Sequence, residues 1–144
     1  MIYIIVALKA EAQAFIDKKI PVIISGIGAE NMFKSTNEIV KKMKEDDILV
    51  NVGICGASKK YKIGQLIDGF AEELSCVDKE ISDKNKYNIV DMESAGFIQA
   101  SLAVKNKYMY KIVSDHFEPN IVTKDGAKKL IFDKIDEIME KIKC

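Results

Sequence analysis

Asp91-Met92-Glu93-Ser94-Ala95 and Val113-Ser114-Asp115 each set a carboxylate just beyond an apolar run that reads as a buried strand. A third acid, Glu11, follows another such run, Ile2 to Leu8. Acids gathered at strand ends do little for stability, because a buried carboxylate must be paired or hydrogen-bonded to be tolerated. They suit a site that handles a cationic transition state. Each has a plainer reading as well. Asp91 or Glu93 can be helix N-terminal chemistry, an acid at the positive end of a helix dipole. Ser114-Asp115 can be a capping pair rather than a general acid with an orienting neighbour. Met92 packs on the apolar face of a ligand if Glu93 accepts hydrogen bonds from ligand hydroxyls.

Two glycine clusters stand beside these acids. Ser25-Gly26-Ile27-Gly28 falls at a strand-to-helix turn, where backbone amides can approach a ligand oxygen. It is not a dinucleotide fingerprint, since Asn31 stands where the third glycine would be. It reads equally as a tight turn that needs positive φ. Asn51-Val52-Gly53-Ile54-Cys55-Gly56 carries the same two readings: a backbone shelf for a flat ligand, or a turn closing a strand. Cys55 has no assigned base and reads as a small packing residue. His116, the single histidine, reads as a surface residue.

The elements that must position these residues are read from periodicity. Ile2 to Ala7 is a continuous β-branched run, the mark of a strand covered on both faces. Lys9 to Lys18 has helical spacing, and Pro21 to Ser25 is the next apolar run. Asn31 to Glu45 reads as a helix. Asp47 to Val52 reads as a third buried strand, closed by Gly53 to Gly56. Ile63 to Ile67 is a short strand candidate, and Ala71 to Asn88 has no clear pattern. Glu93 to Lys105 reads as a helix with Ala95, Phe97, Ile98, Leu102 and Ala103 inward. Tyr108 to Val113 is another strand. Thr123 to Lys143 carries Leu130, Ile131, Ile135, Ile138, Met139 and Ile142 at helical spacing and reads as one amphipathic terminal helix. Strands alternating with helices predict a single three-layer α/β/α domain with a mostly parallel central sheet. Ligands of such sheets bind outside the carboxyl ends of the strands, where Glu11, both glycine clusters, Glu93 and Asp115 fall.

Composition narrows the classes. With 144 residues, 48% of them apolar, the chain has enough for one real core. Lys plus Arg and Asp plus Glu are balanced at 22 each, which argues against a nucleic-acid binder. Every basic residue is Lys, so no guanidinium fork exists to grip phosphate. Cys55, Cys76 and Cys144 lack disulfide or zinc spacing and read as reduced thiols of a cytoplasmic protein. The acids lack metal-ligand spacing, so neither metal nor organic cofactor is expected. Met1 to Leu8 is too short for a membrane span and lacks the features of a signal peptide.

In their order along the chain, Ile5-Val6-Ala7-Leu8-Lys9-Ala10-Glu11, Ser25-Gly26-Ile27-Gly28, Asn51 to Gly56, Lys62-Ile63-Gly64, Val90 to Ala95 and Ile112-Val113-Ser114-Asp115 resemble the nucleoside phosphorylase/nucleosidase family. The likeness is greatest to its methylthioadenosine/S-adenosylhomocysteine nucleosidases. The resemblance implies a phosphorylase/hydrolase-like fold and cleavage of a purine N-glycosidic bond. It implies Asp115 as the acid at purine N7, Glu93 on the ribose hydroxyls and Glu11 as the base that positions water. It adds Gly28, Cys55, Gly56, Ile81, Met92 and Ser114 as substrate-binding residues, and a homodimer. This chain departs from the family in four ways. It has no Arg for phosphate, which favours hydrolysis over phosphorolysis. Ile54 replaces a polar residue. The family's segment between Gly64 and about Ser75 is missing. Glu80 stands where an aromatic side chain stacks on the base. A Lys-based phosphorylase and a non-catalytic nucleoside-binding relative remain the alternative readings.

Overall fold

A computed structural model describes residues 1–82 and 86–143. Cys144, and part of the unpatterned stretch before Asn88, lie outside the described residues. In chain order the elements are β1 (Ile2–Val6), α1 (Lys9–Asp17), β2 (Ile23–Ile24), α2 (Ala29–Lys42), β3 (Ile48–Ala57), β4 (Leu66–Asp68), β5 (Ser75–Cys76), β6 (Ile89–Asp91), α3 (Ser94–Ala100), β7 (Lys107–Asp115), α4 (Lys124–Phe132) and α5 (Ile135–Lys143). A single 3₁₀ turn, Pro119–Ile121, precedes α4.

The sheet is built around β3. It pairs in parallel with β1 and with β7, and β1 pairs in parallel with β2. At its far end β3 turns to β6, which runs antiparallel to it, and β5 adds in parallel to β6. β4 lies antiparallel on β7. Alternation along the strands sorts the core into two faces. Ile4, Val6, Val50, Val52 and Ile112 pack against Phe15 of α1, Ile131 of α4 and Ile135, Ile138 and Ile142 of α5. Ile5, Leu49 and Met109 face the other way, onto Met32 and Ile39 of α2 and Phe97 of α3. The three-layer α/β/α architecture with a mostly parallel sheet is as the sequence predicts.

Four local expectations are corrected. Gly53 to Gly56 is not a turn: β3 runs straight through it to Ala57 because β7 pairs with it along that whole stretch. Ladder hydrogen bonds outweigh the weak strand propensity of two glycines. The helix expected to Lys105 ends at Ala100. There the Ser101 hydroxyl bonds back to the Phe97 carbonyl at 2.7 Å, and Lys107 Nζ donates to the Ser101 carbonyl at 2.8 Å. Ser94, Gly96 and Phe97 form its buried face, while Ala95, Ile98, Leu102 and Ala103 are exposed. The terminal helix is two helices, α4 and α5, separated at Asp133 and Lys134. A tight Lys134 N–H to Ile131 carbonyl bond marks the break, and it leaves Ile131 and Ile135 both buried, so hydrophobic spacing carries no sign of it. The helix expected from Asn31 to Glu45 starts at Ala29 and ends at Lys42.

Candidate active site

Glu11 lies in the first turn of α1, and its carboxylate folds back over the helix start. Oε1 accepts from the N–H groups of Leu8 at 2.9 Å and Ala7 at 3.2 Å. Oε2 accepts from the Ile54 N–H on β3 at 2.9 Å. This crossing passes close over Gly53. A β-carbon there would stand 3.2 Å from Glu11 Oε2 and 3.3 Å from Lys111 Nζ. Burial pushes the Glu11 carboxyl up to about 7, against the lowering effect of the Ile54 and Leu8 hydrogen bonds and the Lys111 charge. Ile54 thus reaches Glu11 through its backbone N–H, a contact that does not depend on its side chain.

Asp91 and Glu93 stand side by side at the start of α3 and do different work. Asp91 caps the helix, accepting from the Ser94 N–H at 2.9 Å and the Glu93 N–H at 3.3 Å. Its Oδ2 also pairs with Lys111 Nζ at 3.0 Å, with both side chains buried. Glu93 is left free of the capping role. Its Oε2 accepts from the Gly28 N–H at 2.8 Å, and burial raises its carboxyl above the usual range against that hydrogen bond. Gly28 holds φ +99° at the cap of α2, a conformation few side chains tolerate, and this aims its N–H across to α3.

The pairing of β3 with β7 shifts between Cys55 and Gly56: Cys55 faces Val113, yet Gly56 faces Asp115. Ser114 is therefore an extra residue on β7, a bulge that re-aims the Asp115 side chain. The Ser114 hydroxyl is 2.6 Å from Asp115 Oδ1, and Asp115 Oδ2 accepts from the Glu118 N–H at 2.8 Å. The carboxyl group is thus fixed at both oxygens at the mouth of the strand.

These side chains meet in one cavity of about 540 Å³ at the carboxyl ends of β1, β3 and β7. Glu11, Glu93 and Asp115 all line it, as do Cys55, Gly56, Ile81, Met92 and Ser114. Gly28 does not: its amide is spent on Glu93. Ile54 and Glu80 also reach the wall. Cys55 is buried, and burial pushes its thiol up to about 12, which fits packing and not nucleophilic chemistry. His116 is half-buried rather than on the surface, its Nδ1 held by the Ala57 carbonyl at 2.9 Å. Among the described residues, no group of three or more His, Cys, Asp or Glu is arranged to hold a metal ion, and no helix is long and apolar enough to cross a membrane.

Sequence reasoning missed Lys111. It is fully buried on β7, donates to Asn51 Oδ1 at 2.8 Å and pairs with Asp91. Burial works against its charge, but Asp91, Glu93 and Glu11 outweigh that and hold its ammonium above the ordinary range. One cation thus stands under three acids. The signal was present: a lone lysine inside an apolar strand buried on both faces demands an acidic partner. The start of α4, with Val122, Thr123 and Lys124 on the cavity wall, carried no such signal.

No protein-family model matches this sequence, and no curated protein matches it. Solved structures do. The 5′-methylthioadenosine/S-adenosylhomocysteine nucleosidase of S. pneumoniae, solved with the transition-state inhibitor MT-ImmA, superposes with a TM-score of 0.76 at 16% identity, over 99% of this chain and 98% of that one. The Campylobacter jejuni nucleosidase gives 0.76 at 15% identity, over 96% of each chain. The Helicobacter pylori nucleosidase, with butyl-thio-DADMe-Immucillin-A, gives 0.75 at 14% identity, over 98% of this chain and 96% of that one. The chain has the fold of these nucleosidases.

Proposed function

We propose that this protein cleaves the N-glycosidic bond of a purine nucleoside by hydrolysis. The observation that carries the reading is the convergence of Glu11, Glu93 and Asp115 on one cavity at the strand ends of this fold. The bond breaks toward an oxocarbenium-like ribosyl cation, and the base leaves as its N7 is protonated. Asp115 delivers that proton. Glu93 accepts from the ribose hydroxyls with the oxygen not taken by Gly28, and its charge stabilises the cation. Glu11 positions water and takes its proton, a task suited to a carboxyl that titrates near neutrality. Met92, Cys55, Gly56, Ile81 and Ser114 form the walls against which sugar and base rest. The S. pneumoniae and H. pylori nucleosidases carry nucleoside-analogue inhibitors, which supports the substrate class.

Hydrolysis is favoured over phosphorolysis because the buried cation of the site is already engaged. Lys111 is held by Asp91 and Asn51, and the chain has no Arg. The reaction belongs in the cytoplasm, a reading supported by the free thiols of Cys55 and Cys76. A homodimer is supported by Phe70, Ile98 and Leu102, which are large apolar side chains left exposed. The test is release of free base from methylthioadenosine, adenosylhomocysteine, inosine and adenosine, with and without phosphate. Glu93→Gln and Asp115→Asn are each expected to lower turnover by about 10²-fold or more. Turnover only with phosphate would replace hydrolysis by phosphorolysis, and no base from any substrate would overturn the reading.

A further inference from the structure

Among the described residues only two other than glycine hold a positive φ, Lys19 at 60° and Phe117 at 61°. Lys19 is exposed and follows the end of α1, where left-handed backbone commonly closes a helix. Phe117 closes no helix. It lies two residues past β7, is 2% exposed, and carries a bulky side chain that disfavours this conformation. Such strain persists only where the surroundings hold it.

Here the surroundings are the end of β3, to which three successive residues are tied. Asp115 pairs with Gly56, His116 Nδ1 meets the Ala57 carbonyl at 2.9 Å, and the Phe117 ring lies against Gly56. A β-carbon on Gly56 would stand 3.5 Å from both Phe117 Cδ1 and Asp115 Oδ2. The chain then reverses, and the Glu118 N–H reaches back to Asp115 Oδ2 at 2.8 Å. Extended backbone at Phe117 would carry that N–H away. Phe117 does not line the cavity, whereas Asp115 does.

We infer that Phe117 is a positioning residue for Asp115: its buried ring holds the left-handed turn that aims the Glu118 N–H at the carboxyl group. When Asp115 passes its proton to the departing base, negative charge develops on its two oxygens. A donor already fixed at Oδ2 stabilises that charge without reorganising. Without the turn, Asp115 keeps only the Ser114 hydroxyl, at Oδ1, and its cavity-facing orientation loosens. The role rests on the hydrolase reading, which makes Asp115 the proton donor.

Phe117→Leu and Phe117→Val separate backbone from bulk. Both keep an apolar side chain, but the β-branched valine crowds left-handed backbone more severely. Steady-state base release from the same four nucleosides and amide hydrogen exchange on the intact protein read the difference. In the wild type the Glu118 amide should be protected, and an unprotected one overturns the inference whatever the variants do. Phe117→Val is expected to lose that protection and about tenfold or more in kcat, with KM within about threefold. The Val113 amide of β7, bonded to the Gln65 carbonyl at 3.1 Å, should stay protected. Phe117→Leu should keep the Glu118 protection and most of kcat, and loss of either overturns the inference, also where the valine variant does not fold. Unchanged kcat in Phe117→Val, or loosening of Val113 along with Glu118, likewise overturns it and leaves the hydrolase reading standing. No base from the wild type overturns the hydrolase reading, and this role with it.

Discussion

At the residue scale the site turns on how one lysine is shared. Lys111 neutralises Asp91 by direct contact and sits close enough to Glu11 and Glu93 to steady both. Removing it strands Asp91 in the core. Lys111→Met is therefore expected to destabilise the fold by about 3–5 kcal/mol in urea titration, and adding Asp91→Asn should restore part of the loss. Failure of the second change to recover any stability would show that packing, not charge, is what Lys111 provides. Glu11 gives a pH signature. Its folded carboxyl titrates near 7 against an ordinary 4.5. The protonated form is thus the one the fold favours, and stability is fullest below about pH 4.5 and falls as pH rises through about 7, by roughly 3 kcal/mol. Under the proposed hydrolysis, activity runs the other way, since Glu11 acts there as an ionised base: kcat/KM should rise with pH through about 7. Glu11→Gln should abolish both trends, and a variant that kept the stability slope would place its origin elsewhere.

Elements carry the precision that residues cannot. The crossing of α2 and α3 brings Gly28 to Glu93, and it depends on Gly96. A β-carbon at Gly96 would collide with the Ala29 carbonyl and come within 2.9 Å of the Phe33 amide nitrogen. Gly96→Ala should push the helices apart, destabilising by about 1–3 kcal/mol and raising KM as Glu93 loses its anchor. Thermal melts together with steady-state kinetics read both effects, and a change in the melt alone would uncouple the crossing from the site. Gly53→Ala is the complementary case: its β-carbon meets only Glu11 and Lys111 at 3.2 and 3.3 Å, so kcat should fall more than stability does. The elements themselves were largely legible. β1 and α1 start at the expected residues, Ile2 and Lys9, because a β-branched run and a helical stripe are local signals. The passage of β3 through two glycines, the early end of α3 and the break before α5 were not. Each is set by a partner strand, a back-bonded serine or a buried isoleucine pair.

For the whole molecule, α3 and the turn that follows it present Ile98 and Leu102 outward, with Leu102 71% exposed, on the layer opposite α1, α4 and α5. If that face is the dimer surface, Leu102→Lys should shift the protein to monomer in sedimentation equilibrium without lowering its melting temperature by more than a few degrees. A wild-type monomer at micromolar concentration would exclude the dimer. The two faces divide labour at the cavity: α2 and α3 fix Glu93, while the starts of α1 and α4 bring Glu11, Lys9 and Lys124 to its wall.

Sequence alone was enough for the class of the fold, and it marked three acids that the fold gathers on one cavity. Hydrophobic period and the position of an acid just past a strand are written in adjacent residues, and adjacency is what a sequence displays. The tertiary structure decided which of Asp91 and Glu93 caps the helix and which faces the cavity. It decided that Gly28 serves Glu93 and does not line the cavity itself, that Ser114 is a bulge, and that Lys111 is the common partner beneath the site. It also brought Lys9 and Lys124 to one cavity wall from opposite ends of the chain. These facts depend on contacts between residues far apart in sequence, created only when burial of the two apolar faces brings the strand ends together.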